Sequence, residues 1–217
     1  MIAWVLAGLV TLPILWLGFG IWQIGRVSAG ARIPERSGTA VLMIDLQTVF
    51  WRDGPYGAAD KARIEAAVRA HVAAAKRAGY PVIALRQEWS QPATCTVARV
   101  MMRGKAIAGT PGTELAAPFQ GLADHELVKR VQDGFETGAL DPLLADLDVG
   151  RLRIMGLDGE YCVARTAVAA LARGYEVALC VDAIATARPG KQDAVLARLT
   201  ARGATVCDAS AGARGCR

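Results

Sequence analysis

At 217 residues and 22.9 kDa the chain has the size of one domain with an appendage, and its 53% hydrophobic content excludes a disordered polypeptide. The net charge of +5 arises from 25 basic residues scattered among 20 acidic ones, with no basic run interleaved with aromatics, which argues against nucleic-acid binding. Five cysteines at irregular spacing form neither a CxxC pair nor a zinc pattern, and their odd number leaves at least one thiol free, as in a reducing compartment.

The first element is the apolar run Ile2 to Ile24, which carries no charged side chain and exceeds the ~20 residues of a membrane-crossing helix. It is expected to span a bilayer, kinked by Pro13, with Trp4 and Trp22 near the two interfaces. The competing reading is a cleaved signal peptide ending at the small residues before Gly30. Against it stand the length of the run and the lack of Lys or Arg ahead of it. Arg26, Arg32 and Arg36 follow the run, so the positive-inside rule places the rest of the chain in the cytoplasm. Residues 1–24 are assigned to a single-pass transmembrane helix, 25–38 to a linker that lets the domain orient independently, and 39–217 to a globular domain.

Within that domain apolar strands alternate with helices. AVLMID reads as a strand, Lys61 to Ala78 as an Ala-rich helix ended by Gly79, and PVIALR as a strand. Residues 87–124 read as irregular. ELVKRV is a strand, Leu140 to Leu147 a short helix and RLRIMG a strand. A helix beginning at Cys162 and ended by Gly174, the strand EVALCV, a helix from Lys191 to Arg202 and the short strand ATVCD complete the order. The pattern predicts a doubly wound, Rossmann-like α/β domain with a six-stranded, mainly parallel sheet in the order 3-2-1-4-5-6.

In such sheets ligands bind beyond the carboxyl ends of the strands, at the point where strand order reverses. Asp45 ends the first strand and Cys162 follows the fourth, so a carboxylate and a thiol meet there. A thiol at a helix start is expected to have a lowered pKa, and Asp45 is placed to act as its base. Cys162 also reads as a small buried apolar residue, Lys129 as a solvated strand residue, and Asp182 as a rival carboxylate one strand further out. Position alone does not separate these readings.

Four segments carry a family resemblance: AVLMIDLQTVF, GTPGTELAAPF, VKRVQDGFETGAL and GLDGEYCVARTAVAALARGYEVALCVDAIAT. Together and in this order they resemble the isochorismatase-like cysteine hydrolase superfamily over Thr39 to Cys207. The resemblance implies an Asp45, Lys129, Cys162 triad acting on a carbon–nitrogen bond of an amide, ureido or carbamoyl type. In that scheme Asp45 accepts the thiol proton, Lys129 orients the pair and favours their charged forms, and Cys162 attacks the carbonyl. The backbone N–H groups of Tyr161 and Cys162 hold the oxyanion.

Two departures stand out. Asp158 and Gly159 occupy positions where relatives often carry a small residue and then Thr, and the family's non-proline cis peptide would fall between Leu157 and Asp158. The metal cluster of nicotinamidase-like members is also missing. The corresponding region reads RQEWSQPATCT, and His71 and His125 make no ligand set, so neither metal nor cofactor is expected.

Trp51, Trp89, Phe135 and Tyr161 are candidates to line an apolar pocket over the thiol, with Glu160 as a polar neighbour. Ordinary core packing is an equal reading for Phe135. The expected partners are a small-molecule substrate, the membrane through the N-terminal helix, and further copies of the chain, since the resemblance implies a homo-oligomer. The expected activity is that of a membrane-anchored amidohydrolase. The alternative is an inactive relative that keeps the fold as a membrane-clustered scaffold.

Overall fold

The computed structural model describes residues 2–208, with side chains described except at residues 2–10 and 189. Cys216 and the side chain of Trp4 lie outside the described residues. Helix α1 (Ile2–Gly25) runs without interruption through Pro13. Its fully described part begins at Thr11, and among the described residues no helix is long and apolar enough to cross a membrane. The expected transmembrane span begins in residues whose side chains lie outside the described ones, and the described residues do not support it.

The end of α1 packs against α4 (Pro92–Met101). Gly20 makes the approach possible: a Cβ there would lie 2.6 Å from the Ala93 carbonyl oxygen and 2.7 Å from Val97 Cγ2. Trp16 Nε1 donates to Thr96 Oγ1 at 3.3 Å. Ile24 is buried with Trp89, Val97 and Ala98 in a small apolar cluster, a burial that contributes roughly 1.5–3 kcal/mol. The outward side of α1 stays apolar and exposed at Leu12, Ile14, Leu15, Phe19, Ile21 and Trp22.

The segment after α1 is not the free linker its composition suggests. Ser28 donates to Asp133 Oδ2 through its backbone N–H at 2.7 Å and its hydroxyl at 2.6 Å. The Ile33 N–H donates to the Arg173 carbonyl at 2.8 Å. Buried Arg173 in turn donates to the carbonyls of Ser28 and Ala29, each at 3.1 Å, and pairs with Asp141 at 3.1 Å. Gly, Ser and Arg supplied the polar groups of a docked strap, and their partners lie far along the chain.

The domain proper comprises β1 (Gly38–Ile44), α2 (Thr48–Trp51), α3 (Ala58–Arg77), β2 (Val82–Gln87), α4, β3 (His125–Lys129), α5 (Leu140–Asp146), β4 (Val149–Gly156), α6 (Ala164–Ala172), β5 (Glu176–Ile184), α7 (Gln192–Thr200) and β6 (Thr205–Cys207). All sheet pairings are parallel and the order is β3-β2-β1-β4-β5-β6, as predicted. Central β1 is buried from Thr39 to Ile44, which explains its uninterrupted apolar run. Leu42 and Ile44 join residues of α5, α6 and α7 on one face, while Val41 and Met43 join residues of α3 on the other.

Residues 87–124 hold more structure than expected. Thr94, Cys95, Thr96 and Val97 are indifferent helix formers, yet α4 forms around them, begun by Pro92 in the first turn and fixed by its buried face. Isolated bridges pair Gln47 with Leu115 and Trp89 with Ile107.

Candidate active site

The sheet delivers three side chains to one place at its carboxyl edge. Asp45 follows the last residue of β1, and its N–H donates to the Leu85 carbonyl at 2.9 Å. Its φ of +52° lies in the left-handed region, which Asp tolerates better than most residues. Across from it Gly156 has φ +120°, and a Cβ there would collide with the Ile44 carbonyl oxygen. That oxygen accepts the Leu157 N–H at 2.8 Å, which fixes how the chain leaves β4 toward the thiol.

Lys129 is the last residue of β3 and is fully buried. Its ammonium lies 3.0 Å from Asp45 Oδ2, 2.6 Å from Gln87 Oε1, 3.2 Å from the Val131 carbonyl and 3.3 Å from Cys162 Sγ. Burying an unpaired ammonium would cost several kcal/mol. Here every direction open to its protons ends on an acceptor. Asp45 Oδ1 is buried without a conventional donor, which leaves it for the thiol proton.

Cys162 sits in a π-helical turn, Gly159–Val163, that leads into α6. The turn is tightly held. Asp158 Oδ1 accepts the Glu160 N–H at 2.8 Å, Asp158 Oδ2 accepts the Ala187 N–H at 2.5 Å, and the Gly159 N–H donates to the Ala185 carbonyl at 2.8 Å. A Cβ on Gly159 would fall 2.5 Å from Thr186 Oγ1 and 2.8 Å from Ile184 Cγ2, so the departure to glycine fits a turn pressed against the end of β5. Among the described residues every peptide is trans, so the cis peptide expected at Leu157–Asp158 is not present. Of the three residues Cys162 alone keeps partial solvent exposure.

The electrostatics correct one expectation. Burial pushes the Cys162 thiol up, the Asp45 carboxylate adds to this, and Lys129 opposes it, so the helix start does not produce a resting thiolate. Burial likewise holds Asp45 above the usual carboxylate range, with Lys129 opposing. Burial pulls Lys129 down, but its pairing with Asp45 and the thiol outweighs that and leaves it raised. Burial thus favours the neutral thiol, while Lys129 and Asp45 each stabilise the other's charged form.

The other predicted residues divide. The Tyr161 N–H donates to the Asp158 carbonyl at 3.1 Å and is therefore not free to hold an oxyanion. Tyr161 itself is exposed, and its hydroxyl accepts from Arg188 at 3.0 Å. Glu160 pairs with Arg188 at 2.5 Å, at the rim of the nucleophile turn. Trp51 packs edge-on against Phe119, with centroids 4.8 Å apart, in the core under α3. Phe135 is core as well, beneath the Arg173 guanidinium at 4.5 Å. Trp89 is buried in the cluster with Ile24. These three aromatic residues fill the interior and do not form an open pocket wall. The rival Asp182 pairs instead with His71 of α3 at 2.8 Å.

Three contributors escaped sequence reasoning. Gln87 holds Lys129. Gln47 accepts the Gln87 N–H at 2.6 Å and donates to the Gln87 and Thr113 carbonyls at 3.1 and 2.6 Å. The Tyr56 hydroxyl donates to Asp158 Oδ2 at 3.3 Å and, being buried near that carboxylate, is held well above its usual pKa. Gln87 closes β2 at the same carboxyl edge as Asp45 and Lys129, a signal the switch-point rule could have used. Among the described residues no three His, Cys, Asp or Glu side chains group to hold a metal ion. The donor set does not fit the metal cluster of nicotinamidase-like relatives.

A doubly wound sheet with a buried lysine joining a carboxylate to a thiol at its switch point defines an α/β protein of the cysteine-hydrolase type. The isochorismatase domain profile matches residues 39–211, and the chain belongs to that family, as an isochorismatase-like hydrolase acting on carbon–nitrogen bonds. It is 33% identical over 190 residues to a streptothricin hydrolase of Streptomyces noursei, covering 84% of this chain and 69% of the relative. A second streptothricin hydrolase of that organism is 34% identical over 170 residues, covering 76% of this chain and 57% of the relative. Among solved structures, the zinc complex of Pyrococcus horikoshii pyrazinamidase superposes with a TM-score of 0.66 at 25% identity, over 79% of this chain and 99% of that one. The N-carbamoylsarcosine amidase of Thermoplasma acidophilum shares the fold, with a TM-score of 0.68 at 23% identity over 80% and 97% of the two chains.

Proposed function

We propose that the protein hydrolyses the carbon–nitrogen bond of a small amide, ureido or carbamoyl compound through a Cys162 thioester. The observation that carries this reading is the Lys129 ammonium held 3.0 Å from Asp45 Oδ2 and 3.3 Å from Cys162 Sγ. Because the resting thiol is neutral, its proton passes to Asp45 as Sγ bonds to the carbonyl carbon. Lys129 stays charged throughout and balances the negative charge as it moves between sulfur and carboxylate. The Cys162 amide is the oxyanion donor of this scheme, since the Tyr161 amide is engaged. As the carbon–nitrogen bond breaks, Asp45 returns the proton to the departing amine. Water then attacks the thioester, gives a proton to Asp45, and releases the acid and the thiol. The complete proton-transfer set speaks against an inactive scaffold.

The relatives named as a streptothricin hydrolase, a pyrazinamidase and a carbamoylsarcosine amidase support the amide class. A screen of short amides, ureido acids and carbamoyl compounds on the full chain, with Cys162→Ala as the blank, tests the reading. Ammonia or amine release equal in both proteins would sink it.

The proposal extends to placement. The apolar, exposed outer side of α1 and Arg26 stacked 5.5 Å over the Trp22 ring suit a membrane anchor with the domain on the cytoplasmic side and further copies alongside. Full-length protein should then require detergent for extraction. Recovery in the aqueous fraction with a cleaved N-terminus would overturn the anchor.

A further inference from the structure

The loop from Val131 to Phe135 follows the site lysine, and its contacts run in three directions. Inward, the Val131 carbonyl accepts a proton of Lys129 Nζ at 3.2 Å. Toward the nucleophile helix, the Gly134 N–H donates to Thr166 Oγ1 at 3.0 Å, one helical turn beyond Cys162. Outward, the loop meets the N-terminal strap. The Gln132 N–H donates to the Ile24 carbonyl at 3.1 Å, and fully buried Asp133 accepts both the N–H and the hydroxyl of Ser28 on Oδ2. Asp133 Oδ1 turns back to accept the Phe135 N–H at 2.9 Å. The strap is itself locked from behind, where Arg173 donates to the Ser28 carbonyl and, at 3.1 Å, to the Ser28 hydroxyl oxygen.

We infer that Ser28 and Asp133 are positioning residues for Lys129, and that the segment leaving α1 is part of the support of the active site. This rests on the reading of Cys162 as nucleophile and deepens it. A buried carboxylate that accepts three hydrogen bonds holds its loop in one place, because losing a donor leaves a buried charge underserved. The carbonyl that the loop presents to Lys129 is one of only a few acceptors in a fully buried site, so its displacement reorients the ammonium. Lys129 is the group that holds the thiol pKa down against burial. Loosening the strap therefore raises the thiol pKa and shrinks the thiolate fraction at any given pH.

The test needs no substrate. Iodoacetamide alkylation of Cys162 in the full chain is followed by peptide-resolved mass spectrometry across pH, beside the melting temperature. With Asp133→Asn the alkylation profile should move up by about one pH unit, a tenfold loss of rate at fixed pH below the midpoint. With Ser28→Ala, which keeps the backbone N–H bond, the shift should be about threefold in rate, and Ser28→Thr should restore the wild-type profile. A folded Asp133→Asn protein with an unchanged profile overturns the inference. If that variant does not fold, an unchanged profile in Ser28→Ala overturns it instead. Absence of amide hydrolysis in the wild type would refute the proposed function and leave this measurement readable.

Discussion

Two of the molecule's thiol sites share burial and a nearby cation and differ in the groups that complete them. At the carboxyl edge of the sheet Cys162 stands beside Asp45 and Lys129 and keeps contact with solvent. On β5 and β6, Cys180 and Cys207 face each other in register, Sγ to Sγ 3.5 Å apart, both buried, with Arg153 at 3.8 Å from Cys207 Sγ. The Cys162 and Cys180 thiols are both pushed up: burial leads for Cys162, and the hydrogen bond to Cys207 followed by burial leads for Cys180. A nearby cation is also common to both. What sets Cys162 apart is a neighbouring carboxylate, Asp45, and partial exposure to solvent. A lowered resting pKa is not the mark of the proposed nucleophile.

Removing the proposed nucleophile is expected to give the largest effect. Cys162→Ser should reduce kcat/KM by at least about 10⁴-fold, and Asp45→Asn by nearly as much, since groups that act as one unit are not additive. Steady-state kinetics on any amide the screen yields checks this. A Cys162→Ser protein within tenfold of wild type would erase the distinction between the two sites.

Reactivity toward alkylating reagent should separate the sites by about 10²-fold in the native chain, because Cys180 and Cys207 react only after local opening of the sheet. Mass spectrometry of a time course gives the three rates. Equal labelling would mean that solvent access does not distinguish them.

The pH dependence follows from the direction of the Asp45 shift. Burial raises its pKa, so the protonated, inactive form persists to higher pH than for an ordinary carboxyl group near 3.9. Activity should fall as pH drops through a limb above that value. Lys129 opposes the rise, so Lys129→Met should move the limb higher still among the molecules that remain folded. A limb at or below the ordinary carboxylate value would contradict the burial argument.

How far this was legible in the sequence depends on the range of the interaction. Asp45 and Cys162 follow apolar strands, and strand order alone brings them together, whereas Lys129, at the end of the half-polar strand β3, is reached only through the family resemblance. Trp51 and Phe135 show the limit: an aromatic side chain fits a core and a pocket equally well, and only the packing of Phe119 and Arg173 against them decides. The strap shows it more sharply. Ser28 finds its partners 105 and 145 residues away, at Asp133 and Arg173, and no local pattern announces them. The thiol's pKa direction was missed for a similar reason. A helix start is visible in sequence, whereas the burial that outweighs it is a property of the finished fold.

The smallest effect tests the second site. Cys207 lies on β6, the edge strand, where Thr205 and Val206 are exposed and only Cys207 turns fully inward. Cys207→Ala removes one buried sulfur and its contact with Cys180, which should lower stability by about 1 kcal/mol, read as a shift in the denaturation midpoint at constant slope. Turnover should stay within about twofold, because β5 lies between β6 and β4, the strand that leads into the nucleophile turn. The turn is nonetheless stapled to the end of β5 through Gly159 and Asp158. A loss of turnover much larger than the loss of stability would therefore mean that strain at the sheet edge travels along β5 to Cys162, and that the two thiol sites are coupled.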